Sequence, residues 1–281
     1  MIPRSSVMRR FAPRLLLVTG LVLAAGLTFM PRPAHAYFFP TPVFVCPTFT
    51  NHGNRFSTIQ AAINHSSNPE IIYIFSGTYY EHLHIDGLNG ESSTNVQLVG
   101  LGNVTVDGDG DGIVLSIGSY GNTGYTVSLL NIEITGGYSA SGSYGAGGIW
   151  NYGNLTLKSG TDVTDNDGDW GGGVSNSGTT SSLTMTGNSE IEGNTAYTNG
   201  GGIFNQGTVT MRNSSEVINN LADNNGGGIL NGSGTVTLDD SSTIYDNQAD
   251  TDGGGIYNDA TVSLYSPSAV YANNPDNCVN C

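Results

Sequence analysis

Two runs of alternating aspartates are the part of this sequence that comes closest to a metal site. They are Asp107, Asp109 and Asp111, and Asp165, Asp167 and Asp169. Carboxylates at positions one, three and five open a calcium-binding loop, which also needs glycine at position six and glutamate at position twelve. The first run has Gly118 at position twelve, and the second has Trp170 and Asn176 at positions six and twelve. We expect both runs to form turns, and calcium is the one cofactor that they suggest.

A second set of residues could bind a ligand through flat apolar side chains. Each member follows a glycine pair and an isoleucine or valine, and the set is Trp150, Ser175, Phe204, Leu230 and Tyr257. Aromatic faces suit sugar rings, and exposed apolar strips often mark partner sites. The alternatives are that a loop covers these side chains, or that they only stiffen a sheet.

The aromatic set belongs to a repeat that extends from residue 147 to residue 273. Each unit has a Gly-Gly-Ile or Gly-Gly-Val phrase that ends in asparagine, then two apolar residues two apart, then a branched residue three places before another asparagine. The apolar and branched positions advance in identical steps of 28, 26, 27 and 26 residues. A unit of this length cannot bury its apolar edge alone, so it must stack on copies of itself.

The pattern inside each unit predicts the fold class. Apolar and polar residues alternate, which predicts strands, and Gly, Asn, Ser and Asp between the strands predict tight turns. Parallel strands joined by crossovers are almost always connected with a right-handed turn. We therefore predict an all-β protein, a right-handed single-stranded parallel β-helix of about eight rungs that rise about 4.8 Å each.

Two columns of asparagine accompany the apolar positions. The first is Asn151, Asn176, Asn205, Asn231 and Asn258, and the second is Asn166, Asn194, Asn220, Asn247 and Asn273. Stacked amides at a corner can hydrogen bond to turn backbone and to one another. We interpret both columns as structural ladders and not as catalytic groups.

The flanking segments divide the chain into four parts. Residues 1–36 combine a basic start, an apolar stretch and a small-residue cleavage motif, which predicts an export signal that is removed. Residues 37–69 are a lead-in that ends in a short amphipathic helix, N-capped by Ser57, over the open end of the coil. The β-helix then covers residues 70–275, and residues 276–281 form a Cys-x-x-Cys tail.

Three cysteines remain after the export signal. Cys278 and Cys281 in the tail predict a small terminal disulfide, as is usual for exported proteins. This leaves Cys46 free, unless the lead-in runs back along the coil to reach the tail.

The charge of the chain excludes one class of partner. Removal of residues 1–36 takes away five of the eight basic residues and none of the 23 acidic ones, so the formal net charge changes from −15 to −20. Such a surface repels DNA, RNA and anionic membranes, and we exclude nucleic acid as a partner. No later segment is apolar enough to span a bilayer. We expect a secreted, extracellular protein that associates with a cell surface.

Several segments carry a family resemblance. Phe56–Ile63, followed by Ile72–Ile74 and Gly77–Glu81, resembles the opening of pectin-lyase-like right-handed β-helix proteins. The later Gly-Gly-Gly-Ile and Ile-x-x-Asn units are similar to the repeats of chlamydial polymorphic outer membrane proteins. The resemblance covers residues 56–273 and implies the same β-helix fold. It implies no single function, because the superfamily contains polysaccharide lyases, hydrolases and esterases beside adhesins.

The resemblance also implies which residues an enzyme of this kind would use. A pectate lyase needs an arginine base and calcium held by acids, which makes Arg212 and Asp239 the catalytic candidates. Arg212 follows the inward Met211, so we expect it to face solvent and to pair with Asp239 one unit later. The hydrolase motifs Asn-Thr-Asp, Asp-Asp and Gly-His-Gly do not occur as a set.

Three functional hypotheses follow. The first is a secreted, adhesin-like protein that binds a polysaccharide or a cell-surface partner through one flank of the solenoid. The second is a polysaccharide lyase or hydrolase of the pectin-lyase-like group, and the third is a purely structural surface component. Short turns and the shortage of basic residues and histidines disfavour a deep catalytic cleft and favour the first hypothesis.

Overall fold

The computed structural model describes residues 42–65, 70–86, 93–142 and 145–281. The predicted export signal, 1–36, and the first part of the lead-in lie outside the described residues. The described chain is built almost entirely of parallel strands, and one of its three sheets contains eight strands, one from each turn. The predicted all-β parallel solenoid of about eight rungs is therefore confirmed.

One helix and the first strands precede the regular repeat. They are β1 (Val43–Val45), β2 (Arg55–Phe56), α1 (Ile59–His65), β3 (Glu70–Tyr80), β4 (Leu83–Ile85), β5 (Ser93–Asp107), β6 (Leu115–Ile117), β7 (Gly124–Leu130) and β8 (Glu133–Thr135). The first half of the repeat contains β9 (Ile149–Asn151), β10 (Asn154–Leu157), β11 (Asp162–Thr164), β12 (Asp167–Trp170), β13 (Val174–Asn176), β14 (Ser182–Met185), β15 (Glu190–Glu192), β16 (Thr195–Asn199), β17 (Ile203–Asn205) and β18 (Thr208–Met211). The second half contains β19 (Glu216–Ile218), β20 (Leu221–Ala222), β21 (Ile229–Asn231), β22 (Thr235–Leu238), β23 (Thr243–Tyr245), β24 (Gln248–Ala249), β25 (Ile256–Asn258), β26 (Thr261–Leu264), β27 (Ala269–Tyr271) and β28 (Cys278–Val279).

Each sheet collects the equivalent strand of successive turns. The eight-stranded sheet has the order β4-β6-β9-β13-β17-β21-β25-β28, and a four-stranded sheet has the order β12-β16-β20-β24. The largest sheet has two arms that meet at the long strand β5, whose two halves pair with β7 and β8. β1 lies within the predicted lead-in and pairs with β3, so the first turn begins before the predicted start of the β-helix.

A single interior file of branched residues runs through the eight-stranded sheet. Ile149, Val174, Ile203, Ile229 and Ile256 are aligned in register, and each is 0% exposed. Burial of such a side chain stabilises the fold by about 1.5–3 kcal/mol. The file confirms that, in this sheet, the strands of successive turns pair without a register shift.

The first glycine of each phrase lets neighbouring turns approach closely. A Cβ atom on Gly201 would overlap the carbonyl oxygens of Gly227 and Leu221. Gly200, one residue earlier, has a φ of 68°, which an L side chain rarely adopts. These positions therefore require glycine for space and for backbone conformation.

The first asparagine ladder is a continuous chain of buried amide bonds. Nδ2 of each asparagine donates to Oδ1 of the next, from Asn151 to Asn176 and from Asn176 to Asn205 at 2.8 Å each. The same bond continues from Asn205 to Asn231 at 2.8 Å and from Asn231 to Asn258 at 2.7 Å. Asn205 Oδ1 also accepts the Gly207 N–H at 3.1 Å, so the ladder holds the turn that follows each strand.

The second ladder lies at another corner and bonds more extensively to the backbone. Asn194 Oδ1 accepts from Nδ2 of Asn166 at 3.0 Å and from its backbone N–H at 3.1 Å. Asn194 Nδ2 in turn donates to Oδ1 of Asn220 at 3.0 Å and to the carbonyl of Val163 at 2.9 Å. Asn247 and Asn273 continue the pattern. Each amide therefore joins three successive turns.

Helix α1 closes the first turn. Its buried residues are Ile59, Ala62 and Ile63. The Glu81 carboxylate accepts the N–H of Ile59 at 2.8 Å, and Thr58 Oγ1 accepts the N–H of Ala61 at 3.2 Å. The prediction of Ser57 as the N-cap is wrong. Within the described part of the chain, no helix has the length and apolar character needed to cross a bilayer.

The tail pairs with the last turn of the solenoid. β28 is in register with β25, and Cys278 and Cys281 are joined by a disulfide. Cys46 is a free thiol and lies directly after β1, beside the first turn.

Removal of one ladder amide should lower the free energy of unfolding far more than removal of an exposed amide. Asn205→Ala leaves the buried amide groups of Asn176 and Asn231 without their partner. Because each unsatisfied buried group costs about 1–3 kcal/mol, we expect a loss of about 3 kcal/mol in the free energy of unfolding, measured with urea.

Asn224→Ala is the matched control, because the Asn224 side chain is exposed. It should change the free energy of unfolding by less than about 0.5 kcal/mol. Equal effects of the two substitutions would show that the ladder contributes no special stability.

Candidate functional site

The outward residues of the eight-stranded sheet form one aligned column. Across β9, β13, β17, β21 and β25 these residues are Trp150, Ser175, Phe204, Leu230 and Tyr257. Each follows an inward residue, because side chains alternate along a strand. The column runs along the stacking direction, as its spacing predicts.

The column is not the continuous exposed strip that the sequence predicts. Ser175 is fully buried, and Phe204 and Leu230 are only 8% and 6% exposed. The rings of Trp170 and Phe204 pack edge to face, with centroids 4.9 Å apart and an angle of 85° between their planes. Trp170 ends β12 in the preceding turn, so its side chain helps to cover the middle of the column. The two ends of the column remain partly exposed.

A row of three adjoining pockets follows the column. We call it the aromatic groove, and its aromatic residues are Tyr120, Trp150, Tyr152, Trp170, Phe204 and Tyr257. Its first two sections, of 270 and 320 Å³, share Tyr120 and Trp150. The second section and the third, of 350 Å³, share Trp170 and Gln206. Because adjoining sections share residues, the three pockets follow one another along the stacking direction of the turns.

Hydrogen bonds and a ring contact fix the indole of Trp150. Its Nε1–H donates to Ser177 Oγ at 3.0 Å, and Ser177 Oγ lies 2.9 Å from Ser175 Oγ. The Tyr152 ring packs at a centroid distance of 5.6 Å, and burial raises the pKa of the Tyr152 phenol. The polar edge of the indole is thus satisfied within the protein, so the ring offers the groove an apolar contact.

The aromatic groove is almost uncharged, although the formal net charge of the chain is −15. Asp259 is the only charged residue among the described residues that line its three sections. The polar lining consists of hydroxyls and amides such as Ser177 and Gln206. Both tryptophans of the chain, Trp150 and Trp170, line the groove.

Three aromatic residues of the groove could not be found from the repeat. Tyr120 lies in the turn between β6 and β7. Trp170 ends β12, and its equivalents in the next turns are Asn199, Asn225 and Asp252, so the repeat does not signal an aromatic residue there. Tyr152 follows Trp150 by two residues, which places both on the same side of an extended chain. That spacing is the one sequence signal for an added ring.

A row of four carboxylates lies on a different sheet. Glu133, Asp162, Glu190 and Glu216 are in register across β8, β11, β15 and β19. We call this row the acidic ladder. Neighbouring strands are about 4.8 Å apart, so each carboxylate stands beside a group of like charge. The sequence does carry a signal for it, because each acid directly precedes the inward branched residue of its strand.

Burial and like charge raise pKa values along the acidic ladder. Burial is the main cause for Asp162, and the charge of Glu133 adds to it. Burial also raises the pKa of Glu190, together with the charges of Asp162 and Glu216. At one end of the ladder the Tyr245 hydroxyl donates to Glu216 Oε2 at 2.9 Å, and burial with this bond raises the pKa of Tyr245 to about 12.

A cleft of 320 Å³ opens at the other end of the acidic ladder, and both Glu133 and Asp162 line it. Glu133 accepts hydrogen bonds from the hydroxyls of Thr105 at 2.7 Å and Thr164 at 3.4 Å. The raised pKa keeps Asp162 protonated to a higher pH than a free carboxyl group. Two neighbouring carboxyls with different environments can divide the roles of acid and base.

The side chains of the two aspartate runs have separate partners. Among the described residues, no group of three or more His, Cys, Asp or Glu side chains could hold an ion together. Asp107 Oδ1 accepts the backbone N–H of Asp109 at 2.8 Å, and Asp165 has a φ of 51°. Asp169 is buried, and its carboxylate accepts the Thr198 hydroxyl at 2.7 Å. The Asp107 carboxylate therefore stabilises a turn, and the Asp169 carboxylate takes part in a buried hydrogen bond.

Arg212 and Asp239 do not form the expected ion pair in the part of the chain that the structure describes. They follow equivalent ends of β18 and β22, where Met211 is opposite Leu238. Arg212 is exposed, and the Asp239 carboxylate accepts the backbone N–H of Asp240 at 2.9 Å. An exposed ion pair stabilises a protein only slightly. Solvation of Arg212 and the hydrogen bond of Asp239 to the neighbouring backbone are therefore favoured over an ion pair. Neither residue lines the aromatic groove or the cleft at Asp162.

Comparison with known proteins adds a distant structural likeness. No protein-family model and no curated protein matches this sequence. Among solved structures, the pectin methylesterase from Aspergillus niger aligns with a TM-score of 0.46 and 16% identity, over 85% of this chain and 90% of that one. The Escherichia coli protein YbhC aligns with a TM-score of 0.40 and 15% identity, over 83% of this chain and 75% of that one.

Scores this low establish neither a family nor an activity, so the site is interpreted from its own geometry. The resemblance of the repeat to chlamydial polymorphic outer membrane proteins stays a prediction.

Removal of one charge from the acidic ladder should stabilise the protein at neutral pH. A carboxyl group whose pKa is higher in the folded than in the unfolded protein stabilises the fold while it is protonated. This stabilisation is complete below the unfolded-state pKa and is lost as the pH rises through the folded-state pKa. The Glu190→Gln variant has no ionisable group at this position, so it does not lose this stability as the pH rises. We expect the variant to melt about 2 °C higher at neutral pH, because like charges opposite each other on a sheet cost about 0.5 kcal/mol. The gain should disappear below about pH 4.

Asp250→Asn is the control, because Asp250 is exposed and lies outside the ladder. It should leave the melting temperature almost unchanged across the same pH range. A Glu190→Gln variant that melts lower than the parent at neutral pH would contradict the repulsion inferred for the ladder.

Proposed function

We propose that this protein is exported and binds polysaccharide or a glycan-bearing surface through the aromatic groove. Residues 1–36 support export, because their composition is that of a signal peptide. The aromatic groove supports binding, because it combines apolar ring faces with a few hydroxyl and amide groups. This combination is typical of sites that hold a small polar ligand with apolar faces.

The row of adjoining pockets lined by aromatic side chains is the observation that carries the proposal. A sugar ring has an apolar face and hydroxyl groups around its edge, so it can stack on one side chain and hydrogen bond to another. Trp150 and Trp170 line the groove with aromatic rings, and the Gln206 side chain places an amide beside them. Several such positions in one groove suit a ligand that is longer than a single ring.

The rigidity of the scaffold supports the same proposal. Trp150 stands on β9, whose other face belongs to the buried interior file, and its indole is held by Ser177. A preformed site loses little conformational entropy when a ligand binds, so modest contacts suffice for affinity.

Loss of the groove aromatics should weaken glycan binding. Trp150→Ala and Tyr152→Ala each remove a ring from the groove, and we expect each to raise the dissociation constant by about tenfold. A glycan array on the mature protein would identify a ligand, and calorimetric titration would then measure the affinities.

Tyr265→Ala is the matched control, because Tyr265 is 55% exposed and does not line the groove. It should bind like the parent protein. Unchanged binding by Trp150→Ala, or an equal loss in Tyr265→Ala, would count against the aromatic groove as the site.

A second candidate function is hydrolysis of a glycosidic bond at the cleft between Glu133 and Asp162. One observation favours it, which is that a carboxyl with a raised pKa stands beside a hydrogen-bonded carboxyl. Glu133 and Asp162 are in-register neighbours on β8 and β11, and retaining glycosidases also use a pair of neighbouring carboxyls. Asp162 would donate a proton to the leaving oxygen while the Glu133 carboxylate attacks the anomeric carbon and the glycosidic bond breaks. Water, deprotonated by the Asp162 carboxylate, would then release the sugar from Glu133.

Assays against neutral and acidic polysaccharides test this second function. If it is correct, the parent protein releases reducing ends, and Asp162→Asn lowers the rate by about 100-fold or more, as loss of a general acid usually does. Asp250→Asn should retain full activity. If the parent protein releases no reducing ends, the cleft is not a hydrolase site.

A further inference from the structure

The aromatic groove follows the stacking direction of the turns. Ser116, at its first section, and Tyr257, at its last, are joined in register through Trp150, Phe204 and Leu230. The path from Ser116 to Tyr257 crosses five steps between neighbouring strands. At about 4.8 Å per step, the groove extends for about 24 Å along the solenoid. A ligand that uses the whole groove must therefore be long and extended.

The lining of the groove also limits the charge of its ligand. None of the three basic residues that follow the export signal, Arg55, Lys158 and Arg212, lines any section of it. Asp259 contributes the one formal charge, and that charge is negative. A chain of uronic acids would bring one carboxylate for each sugar into a strongly acidic protein, with no cation to receive it. Such a ligand would be repelled at low ionic strength.

We propose that the ligand of the aromatic groove is a linear, uncharged polysaccharide that lies along the solenoid and contacts several successive turns. This inference rests on the proposed function and makes it more specific. The rings at Trp150 and Trp170 select for flat sugar faces, and the absence of basic groups selects against uronates and sulfated glycans. The extent of the groove along the solenoid favours a long ligand.

Matched oligosaccharide series test the inference. Neutral series of two to six sugars, from cellulose, xylan, mannan and chitin, would be compared by calorimetry with oligogalacturonates and oligoguluronates of the same lengths. We expect at least one neutral series to bind, with affinity that rises about tenfold from two sugars to five and then levels off. The acidic series should bind at least about tenfold more weakly, and high salt should narrow the difference because it screens the repulsion.

Asp259→Asn provides an internal check on the electrostatic argument. It removes the one formal charge of the groove, so it should raise the affinity of the acidic series relative to that of the neutral series by about twofold. Asp250→Asn, at an exposed site outside the groove, should change neither.

The outcomes separate the inference from the proposed function. Tighter binding of acidic than of neutral oligosaccharides, weakened by Trp150→Ala, would overturn the inference and keep the glycan-binding function. Affinity that does not increase beyond two sugars would overturn the extended binding mode. Absence of binding by every series, neutral and acidic, would overturn both.

Discussion

In-register stacking of the turns is the constraint on which the rest of the structure depends. Each inward side chain lies on its equivalent in the next turn, and each ladder asparagine hydrogen bonds to its equivalent, as from Asn205 to Asn231 at 2.8 Å. A shift by one residue would turn the apolar file outward and would break both ladders together. The buried amides are stable only in the correct register, since an unpaired amide in the interior costs free energy.

The same constraint creates the outer surfaces. Because every inward column is aligned, every outward column is aligned too. Similar side chains at a repeated position therefore form a row along the solenoid. On one sheet this gives the aromatic groove, which is nearly uncharged. On another it gives the acidic ladder, in which Glu133, Asp162, Glu190 and Glu216 stand beside one another and burial and mutual repulsion raise the pKa values of Asp162 and Glu190. The fold thereby separates a surface suited to apolar contact from one dominated by negative charge.

Sequence reasoning was strongest where a residue type returns at a fixed step. The steps between apolar positions predicted the interior file, the asparagine columns and the outward column, because in a solenoid one register fixes all of them. Sequence reasoning failed where a contact involves a residue type that does not recur from unit to unit. Trp170 packs on Phe204 from β12, whose pairing with β16 shifts register between Gly168 and Trp170, and no spacing signals that contact. The first N–H groups of helix α1 donate hydrogen bonds to the carboxylate of Glu81, which lies more than twenty residues later in the chain.

The central claim is that a polysaccharide binds along the aromatic groove. The chain has 2 tryptophans, Trp150 and Trp170, and both line the groove, so their indole N–H signals in a nitrogen-15 spectrum report on it directly. Titration of the labelled mature protein with a bound glycan should shift both signals together, with a midpoint equal to the calorimetric dissociation constant. Saturating glycan that leaves both indole signals in place would place the ligand elsewhere and contradict the account.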